Sequence, residues 1–334
     1  MAKLYWILFF LLSGILACDS PTPRVQQGEV VTIFSNALNA TDRQLFTAFE
    51  RSSGVKVNII IDTGEQIIER LAQQQQDSVI ADLILLEGIT YFQKAKQVGL
   101  LDTLSQGSIV NAIPEHLRDR NLQWIGLGYS ANAIAYLRDS VDTLQVRSYA
   151  DLSNPEWRGK TGWGTQNKNI YLSQLASMLA DQGAEAEQWI SGLSANLLDS
   201  AHYRSPAHFS VTDSTAWLAL TNTADYIKNL SEGKRFQSAG LLFSPPAIYL
   251  HLTGVGILDE APHPAQARAL LNYLFSRDIV TQYTRLHFLY PTRPDIDPPP
   301  SLRNLGLVNA DSSSQSNIAR YTEEAENLFN RYGW

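Results

Sequence analysis

Cysteine is almost absent from this chain of 334 residues, because Cys18 is the only one. The sequence after Cys18 therefore has no disulfide, no thiolate metal site and no cysteine nucleophile. Any metal binding or catalysis beyond that point must use oxygen or nitrogen atoms. This excludes the disulfide-stapled and zinc-finger classes of protein.

Concentrated positive charge is also missing. The chain has 26 Lys and Arg against 33 Asp and Glu, a formal net charge of -7, and no run rich in Lys or Arg. Nucleic-acid binding requires a basic surface that neutralises phosphates. We therefore expect no nucleic-acid partner.

Short enzyme signatures are absent as well. The sequence contains neither the Gly-x-Ser-x-Gly elbow of hydrolases nor the His-Glu-x-x-His motif of metalloproteases. His202, His208 and His251 match no short metal-ligand spacing, and we expect them to be solvated or hydrogen-bonded. We therefore expect no catalytic residue and no cofactor.

The N-terminus is typical of an export signal. Lys3 precedes a nearly continuous apolar run that ends at Ala17-Cys18 and is shorter than a membrane span of about 20 residues. Residues 1–17 are predicted to be a signal peptide, Cys18 the lipidated residue of a bacterial lipobox, and residues 18–28 a tether. The alternative is ordinary cleavage that leaves the cysteine unmodified. The predicted location is the periplasm, with attachment to a membrane only through lipid.

Strand-like and helix-like segments alternate in the first part of the chain. Apolar, β-branched runs occur at residues 30–35, 55–61 and 81–86, and amphipathic segments at 41–53 and 65–76 separate them. This β-α-β-α-β order predicts a parallel sheet with both faces covered by helices. Ligands of such sheets bind beyond the carboxyl ends of the strands.

The remainder of the chain continues the same alternation. Apolar strands are predicted at residues 124–137, 217–220 and 248–258. Helices are predicted at residues 170–180, 184–193, 264–275 and 320–332. A chain of this length with two such halves is expected to form two lobes.

Short motifs occur in a fixed order along the whole chain. They are Ile33-Phe34-Ser35 followed by Thr41-Asp42, the stretch FERSSGVKV at 49–57, Ala81-Asp82-Leu83, the segment 99–104, WRGK at 157–160, Asn169-Ile170-Tyr171, LTGVGI at 252–257 and NRYGW at 330–334. This series resembles the periplasmic ferric-ion-binding proteins of ABC importers, of the Fbp and Fut types.

The resemblance implies an α/β architecture of the type 2 periplasmic-binding-protein fold, in which two doubly wound lobes are joined by a hinge. Lobe 1 is expected to comprise residues 29–128 and 248–290, and lobe 2 residues 129–247 and 291–334. Such proteins act as monomers that close on a small ligand and present it to an ABC permease.

Most iron ligands of that family are replaced here. The tyrosine pair of the family falls on Ala224 and Asp225, so that Tyr226 lies one position later, about 100° further round a helix. The histidine and tyrosine of the first loop correspond to Leu38 and Asn39.

Some oxygen donors are retained, and Fe³⁺ is a hard cation that favours oxygen. Glu87 matches a carboxylate ligand of the Fbp type, and Tyr171 matches a tyrosine ligand of the Fut type. Ser130 and Asn132 occupy positions where the family often has arginines beside an accompanying anion. The predicted metal ligands are Glu87, Tyr171, Asp225 and Tyr226, and the predicted further ligand contacts are Asn39, Asn132 and Asn222.

Three functions remain open from the sequence. The first is a lipoprotein that captures ferric iron as a transported ligand. The second is a protein that binds another small oxyanion or a polar organic solute. In that case the replaced iron ligands reflect a different transported ligand. The third is a lipoprotein that docks a partner and binds no solute.

Overall fold

The structure is a computed structural model that describes residues 29–73, 81–105, 107–163, 168–198, 216–231, 239–243, 249–305 and 315–333. The predicted signal peptide, tether and lipidation site at Cys18 lie outside the described residues. So do His202 and His208. None of the described helices is long and apolar enough to cross a membrane.

Strands occur where the sequence predicts them. In chain order they are β1 (Val30–Ser35), β2 (Lys56–Ile61), β3 (Leu83–Glu87), β4 (Ile125–Leu137), β5 (Thr161–Trp163), β6 (Leu218–Asn222), β7 (Ala239–Leu242), β8 (Leu250–Ile257) and β9 (Tyr290–Pro291). The short strands β5, β7 and β9 were not predicted.

The α-helices also follow the predicted order. They are α1 (Arg43–Ser53), α2 (Gly64–Ala72), α3 (Ile89–Gln97), α4 (Ser108–Ala112), α5 (Lys168–Gln182), α6 (Glu185–Asn196), α7 (Thr223–Ser231), α8 (Pro264–Leu274), α9 (Arg277–Leu286), α10 (Pro300–Arg303), α11 (Gln315–Ile318) and α12 (Thr322–Arg331). Helices α3, α4, α7, α9, α10 and α11 were not predicted.

Helix α1 shows how the local sequence determines where a helix forms and where it ends. Leu45, Phe46 and Phe49 recur at helical spacing and are buried. Gly54 ends the helix with a φ of 76°, in the left-handed region that glycine enters without strain, and its amide donates to the Glu50 carbonyl. The chain then turns directly into β2.

The central sheet has the strand order β2-β1-β3-β8-β4-β6-β5, with β7 and β9 also paired to β4. Strands β1, β2 and β3 are parallel, as predicted. The sheet as a whole is mixed, because β8, for which no direction was predicted, lies antiparallel between β3 and β4. Strand β8 returns from far along the chain and is not joined to β3 by a simple β-α-β crossover, which would impose a parallel direction.

The buried apolar side chains form separate cores along this sheet. The first core includes Ala131 of β4 and Leu250 of β8, whereas a second core includes Ile134 of β4 and the adjoining Tyr249. A third core contains Ala135 of β4 and helix α7. Strand β4 therefore contributes to all three cores, whereas the buried apolar residues of β8 belong to the first. The lobe limits given above remain predictions.

The contacts of Glu50, on helix α1, are expected to make the stability of the folded protein depend on pH. Burial raises the pKa of Glu50, but the amide of Val57 at 2.8 Å and the guanidinium of Arg43 at 2.7 Å outweigh this, so the net pKa is lowered. A lowered pKa in the folded protein stabilises it above the unfolded value of about 4.3, and this stabilisation is lost as the pH falls through the folded value.

We expect Glu50→Gln to lower the free energy of unfolding by about 1 kcal/mol at neutral pH. The difference from the parent should shrink below about pH 4, where the parent carboxylate also becomes neutral. Urea unfolding at both pH values measures it. A difference that stays constant with pH would contradict the assignment.

Candidate functional site

A band of polar side chains crosses the central strands on one face of the sheet. Alternate residues of a strand share a face, and directly paired residues of antiparallel strands do so too. Thr253 pairs with Glu87, His251 with Ser130, and Asn132 with Asn222. We call this band the polar stripe, and it consists of Glu87, Thr253, His251, Ser130, Asn132 and Asn222. Four strands about 4.8 Å apart give it a length of roughly 14 Å.

Glu87 forms the end of the polar stripe that reaches solvent, with its side chain 30% exposed. Its backbone is held from both sides by Asn36, whose Nδ2 donates to the Glu87 carbonyl at 3.2 Å and whose Oδ1 accepts from the Glu87 amide at 2.8 Å. Asn36 therefore positions residue 87 through its backbone, and neither of these two hydrogen bonds uses the carboxylate.

His251 lies behind Glu87 and is only 1% exposed. Its Nε2 lies 3.2 Å from Glu87 Oε1, outside hydrogen-bond geometry, and neither ring nitrogen has a hydrogen-bond partner among the described residues. His251 is thus not solvated, and its polar contact is the one with the Glu87 carboxylate. The sequence indicates that His251 and Thr253 lie on one face of a strand, because they alternate with apolar residues.

The charge of Glu87 depends on this neighbour. Burial raises the pKa of Glu87, but His251 outweighs it, with smaller contributions from His287 and Lys228, so that the net pKa is lowered. The group is thus a carboxylate at neutral pH. Tyr283 is nearby, and burial together with the charges of Glu87 and Asp42 raises its pKa well above the ordinary value.

The middle of the polar stripe contains buried polar atoms that have no partner. Asn132 Nδ2 donates to Gln174 Oε1 of α5 at 2.8 Å. Asn132 Oδ1, Gln174 Nε2 and Ser130 Oγ have no hydrogen bond among the described residues, although all three side chains are buried. Unpaired buried polar atoms cost about 1–3 kcal/mol each, so such a group calls for a partner.

Asn222 and Asp225 close the far end of the polar stripe. Asn222 Oδ1 accepts from the Asp225 amide at 3.0 Å, and Asn222 Nδ2 donates to Asp225 Oδ2 at 2.9 Å. The first bond caps the N-terminus of α7. The structure therefore brings together four of the predicted ligand-binding residues along one band: Glu87, Asn132, Asn222 and Asp225.

The other three predicted residues are engaged elsewhere. The Tyr171 phenol donates to the Leu220 carbonyl within the second core, and the Tyr226 phenol donates to the Ala239 carbonyl in the third core. Asn39 is exposed and caps the short helical turn Ala40–Asp42. Contact between any of these side chains and a ligand remains a prediction.

Ala224 occupies the position of the first tyrosine of the Fbp pair, and it packs against the first core. The first turn of α7 thus contacts the first core, although α7 also contributes side chains to the third core. This contact is made by a methyl group where the family has a phenol.

Polar contacts also join the two sides beside the polar stripe. Tyr91 of α3 donates to Glu65 Oε2 at 2.9 Å and accepts from Nδ2 of Asn169 on α5. Lys94 of α3 forms an ion pair with Glu326 of α12 at 2.6 Å. These bonds stabilise the arrangement in which α3 and α5 lie close together.

We expect Tyr91→Phe to shift the protein toward an open arrangement by about 5-fold, since one net hydrogen bond is worth about 1 kcal/mol. Tyr273→Phe is the matched control, because its phenol donates to the Leu45 carbonyl inside the first core. Small-angle scattering of the ligand-free proteins measures the change. Equal radii of gyration for Tyr91→Phe and the parent would contradict a bridging role.

Among the described residues, no group of three or more His, Cys, Asp or Glu side chains is arranged to hold a metal ion. Glu87 and His251 form a carboxylate and imidazole pair instead. An exposed carboxylate over a buried imidazole, continued by amides and hydroxyls, suits a ligand that carries both charge and hydrogen-bonding atoms.

Comparisons with known proteins identify the family of this chain. The family described as "Bacterial extracellular solute-binding protein" matches residues 44–309. Iron uptake protein A2 of Synechocystis is 26% identical over 97% of this chain and 95% of its own length. The major ferric iron-binding protein of Neisseria meningitidis serogroup A is 19% identical over 91% of this chain and 92% of its own length.

Solved structures show the same architecture. Apo FutA2 from Synechocystis superimposes with a TM-score of 0.79 at 27% identity, covering 92% of this chain and 100% of that one. The ferric binding protein from Campylobacter jejuni gives a TM-score of 0.82 at 24% identity, covering 91% and 99%. These likenesses confirm the predicted two-lobed α/β fold of periplasmic binding proteins and the resemblance to Fbp and Fut proteins.

Proposed function

Since the chain belongs to the bacterial extracellular solute-binding proteins, we propose that it captures ferric iron between its two lobes and delivers it to the permease of an ABC importer. Membership in a family of binding proteins confirms the prediction that the chain is not an enzyme. Iron is the transported ligand in this proposal and not a cofactor.

The observation that carries the proposal is the polar stripe with Glu87 at its open end. A carboxylate whose pKa is lowered suits a hard trivalent cation. The polar stripe lies on the strands that connect the cores, where a ligand can contact both lobes at once. Such a ligand favours the closed state, because only that state supplies all of its contacts.

The test is the addition of ferric citrate to the purified protein, followed by desalting, elemental analysis and thermal unfolding. We expect stoichiometric iron and a higher melting temperature, since a ligand at 100 times its Kd stabilises the folded state by about 2.7 kcal/mol. Calcium chloride and sodium citrate serve as controls. A desalted protein without iron and with an unchanged melting temperature would rule out ferric iron as the ligand.

Delivery to a membrane permease agrees with a periplasmic monomer held by lipid at Cys18. We expect Cys18→Ala to move the protein from the membrane fraction to the soluble fraction of its host without changing iron binding. Cell fractionation and mass spectrometry of the mature N-terminus measure this. A mature chain that keeps Cys18 without added lipid mass would contradict the anchor.

A second candidate is favoured by the neutral atoms of Ser130, Asn132 and Gln174. These groups are typical of sites for a small oxyanion or polar organic solute. Native mass spectrometry of the protein as isolated distinguishes the two functions, since such a solute would appear without iron. A third candidate, a lipoprotein that docks a partner and binds no solute, predicts that no added solute raises the melting temperature.

A further inference from the structure

A pocket of about 220 Å³ lies beside the first core, between the loop that follows α3, helix α4 and helix α8. Its lining includes Ile257, the last residue of β8, which pairs with Leu83 at the start of β3. Glu87 is at the other end of β3, so about 13 Å of strand separates this pocket from the polar stripe. We call it the outer pocket, and it shares no residue with the polar stripe.

Helix α8 presents both charged and apolar side chains to the outer pocket. Arg268, Leu271 and Asn272 recur at spacings of three and four, which places them on one face of the helix. Leu271 is buried, whereas the side chain of Arg268 is 52% exposed. The loop opposite contributes Asp102, whose Oδ2 lies 3.3 Å from Arg268 Nη2. One positive and one negative group therefore stand side by side at the rim.

This ion pair leaves hydrogen-bonding capacity at the rim unused. A guanidinium has five N–H donors, and Arg268 uses one of them among the described residues. The amide of Thr103 donates to Asp102 Oδ1 at 2.7 Å and holds the carboxylate in place. An ion pair this exposed to water adds little to stability, so its opening by a ligand costs little.

The floor of the outer pocket is apolar. It is formed by four buried side chains of the first core, which are Leu104, Val110, Ile257 and Leu271. Apolar walls with a few polar groups at fixed positions are typical of small-molecule sites. The volume is below the range of about 300–1,000 Å³ found for drug-sized ligands, so the outer pocket suits a smaller molecule with a short apolar group.

The two charges at the rim restrict the ligand further. A simple carboxylate would be attracted by Arg268 and repelled by Asp102, and a simple amine would meet the reverse. A zwitterion with an ammonium and a carboxylate on the same carbon is attracted by both groups. It replaces one weak ion pair with two charge-assisted contacts.

We propose that the outer pocket binds a free α-amino acid with a small apolar side chain, of which leucine is the example. The carboxylate contacts Arg268, the ammonium contacts Asp102, and the side chain lies on the apolar floor. Binding is noncovalent. This inference goes beyond the capture of ferric iron and does not depend on it, because the outer pocket and the polar stripe lie at opposite ends of β3.

Isothermal titration calorimetry of the iron-free protein with L-leucine tests the proposal, and we expect one site per chain. The compound 4-methylpentanoate lacks the ammonium, and 3-methylbutylamine lacks the carboxylate. Each should bind at least about 10-fold more weakly, the effect of losing one charge-assisted hydrogen bond. Glycine lacks the apolar side chain and should be weaker by about the same factor.

Arg268→Gln and Asp102→Asn should each weaken L-leucine binding by about 10-fold or more. Arg277→Gln is the matched control. Arg277 is an exposed residue of α9 that pairs with Asp295 at 3.1 Å, so this variant loses the same kind of ion pair outside the outer pocket. It should bind L-leucine as the parent does. Circular dichroism and the melting temperature show whether each variant folds.

A repeat of the titration with protein that holds ferric iron separates this site from the proposed function. We expect the same affinity for L-leucine with and without iron. No binding of L-leucine, equal binding of 4-methylpentanoate or 3-methylbutylamine, undiminished affinity in folded Arg268→Gln, or competition between L-leucine and ferric citrate would each overturn the inference. Failure to bind iron with L-leucine still bound would overturn the proposed function alone.

Discussion

Exchange of Glu87 for glutamine is expected to weaken ferric iron binding by about 100-fold, equivalent to about 2.8 kcal/mol, while the melting temperature of the ligand-free protein changes little. Glutamine has the same size but no charge, so the metal loses its carboxylate. The fold keeps its contacts, because Asn36 bonds to the backbone of residue 87 and not to its side chain.

Competition titration against a coloured ferric chelator measures this affinity. Glu69→Gln is the control, since Glu69 is an exposed residue of α2 that contacts Gln73. It should bind as the parent does. An affinity of Glu87→Gln within 3-fold of the parent would mean that the carboxylate does not reach the ligand.

Replacement of Asp82 by alanine is expected to lower the free energy of unfolding by about 4 kcal/mol. Asp82 is fully buried, and its carboxylate accepts from the Thr32 amide at 2.8 Å and the His263 amide at 2.7 Å. The first bond joins β1 to β3, and the second fixes the segment that begins α8. Alanine would leave both amides buried and unpaired.

Chemical denaturation of Asp82→Ala and Asp82→Asn measures the effect. The asparagine variant keeps one acceptor oxygen and should lose about half as much stability. Asp259→Ala, at an exposed position, is expected to change stability by no more than about 0.5 kcal/mol. A loss for Asp82→Ala that is as small as this would show that the buried carboxylate does not hold these strands together.

The elements of the fold could be predicted because their signals are local. Strand β1 was placed at its observed bounds from β-branched residues, and α1 from the spacing of Leu45, Phe46 and Phe49. The antiparallel position of β8 could not be predicted in this way. It depends on pairing with β3 and β4, which lie far away in the sequence.

The candidate site was only partly predictable for the same reason. Glu87 is the last residue of β3, and the resemblance to Fbp proteins was sufficient to propose it as a ligand. Its partner His251 lies 164 residues away in sequence, and only the register of β3, β8 and β4 brings the two together. The roles of Tyr171 and Tyr226 were inferred from aligned positions, which do not show that each phenol points to a backbone carbonyl.

The carboxylates of Asp82 and Glu87 also have different physical roles. Asp82 in the Ala81-Asp82-Leu83 motif is fully buried and hydrogen-bonded, so it serves the fold. Glu87 at the end of β3 is partly exposed and faces the imidazole of His251. Burial and hydrogen bonding separate a structural carboxylate from one that a ligand can reach, and neither property can be read from the motif itself.

Anomalous diffraction at the iron absorption edge, from crystals grown with ferric nitrilotriacetate, tests the central claim most directly. The account predicts one strong iron peak between the lobes, at bonding distance from the carboxylate of Glu87. An iron peak that is remote from Glu87, or on the outer surface of either lobe, would contradict it.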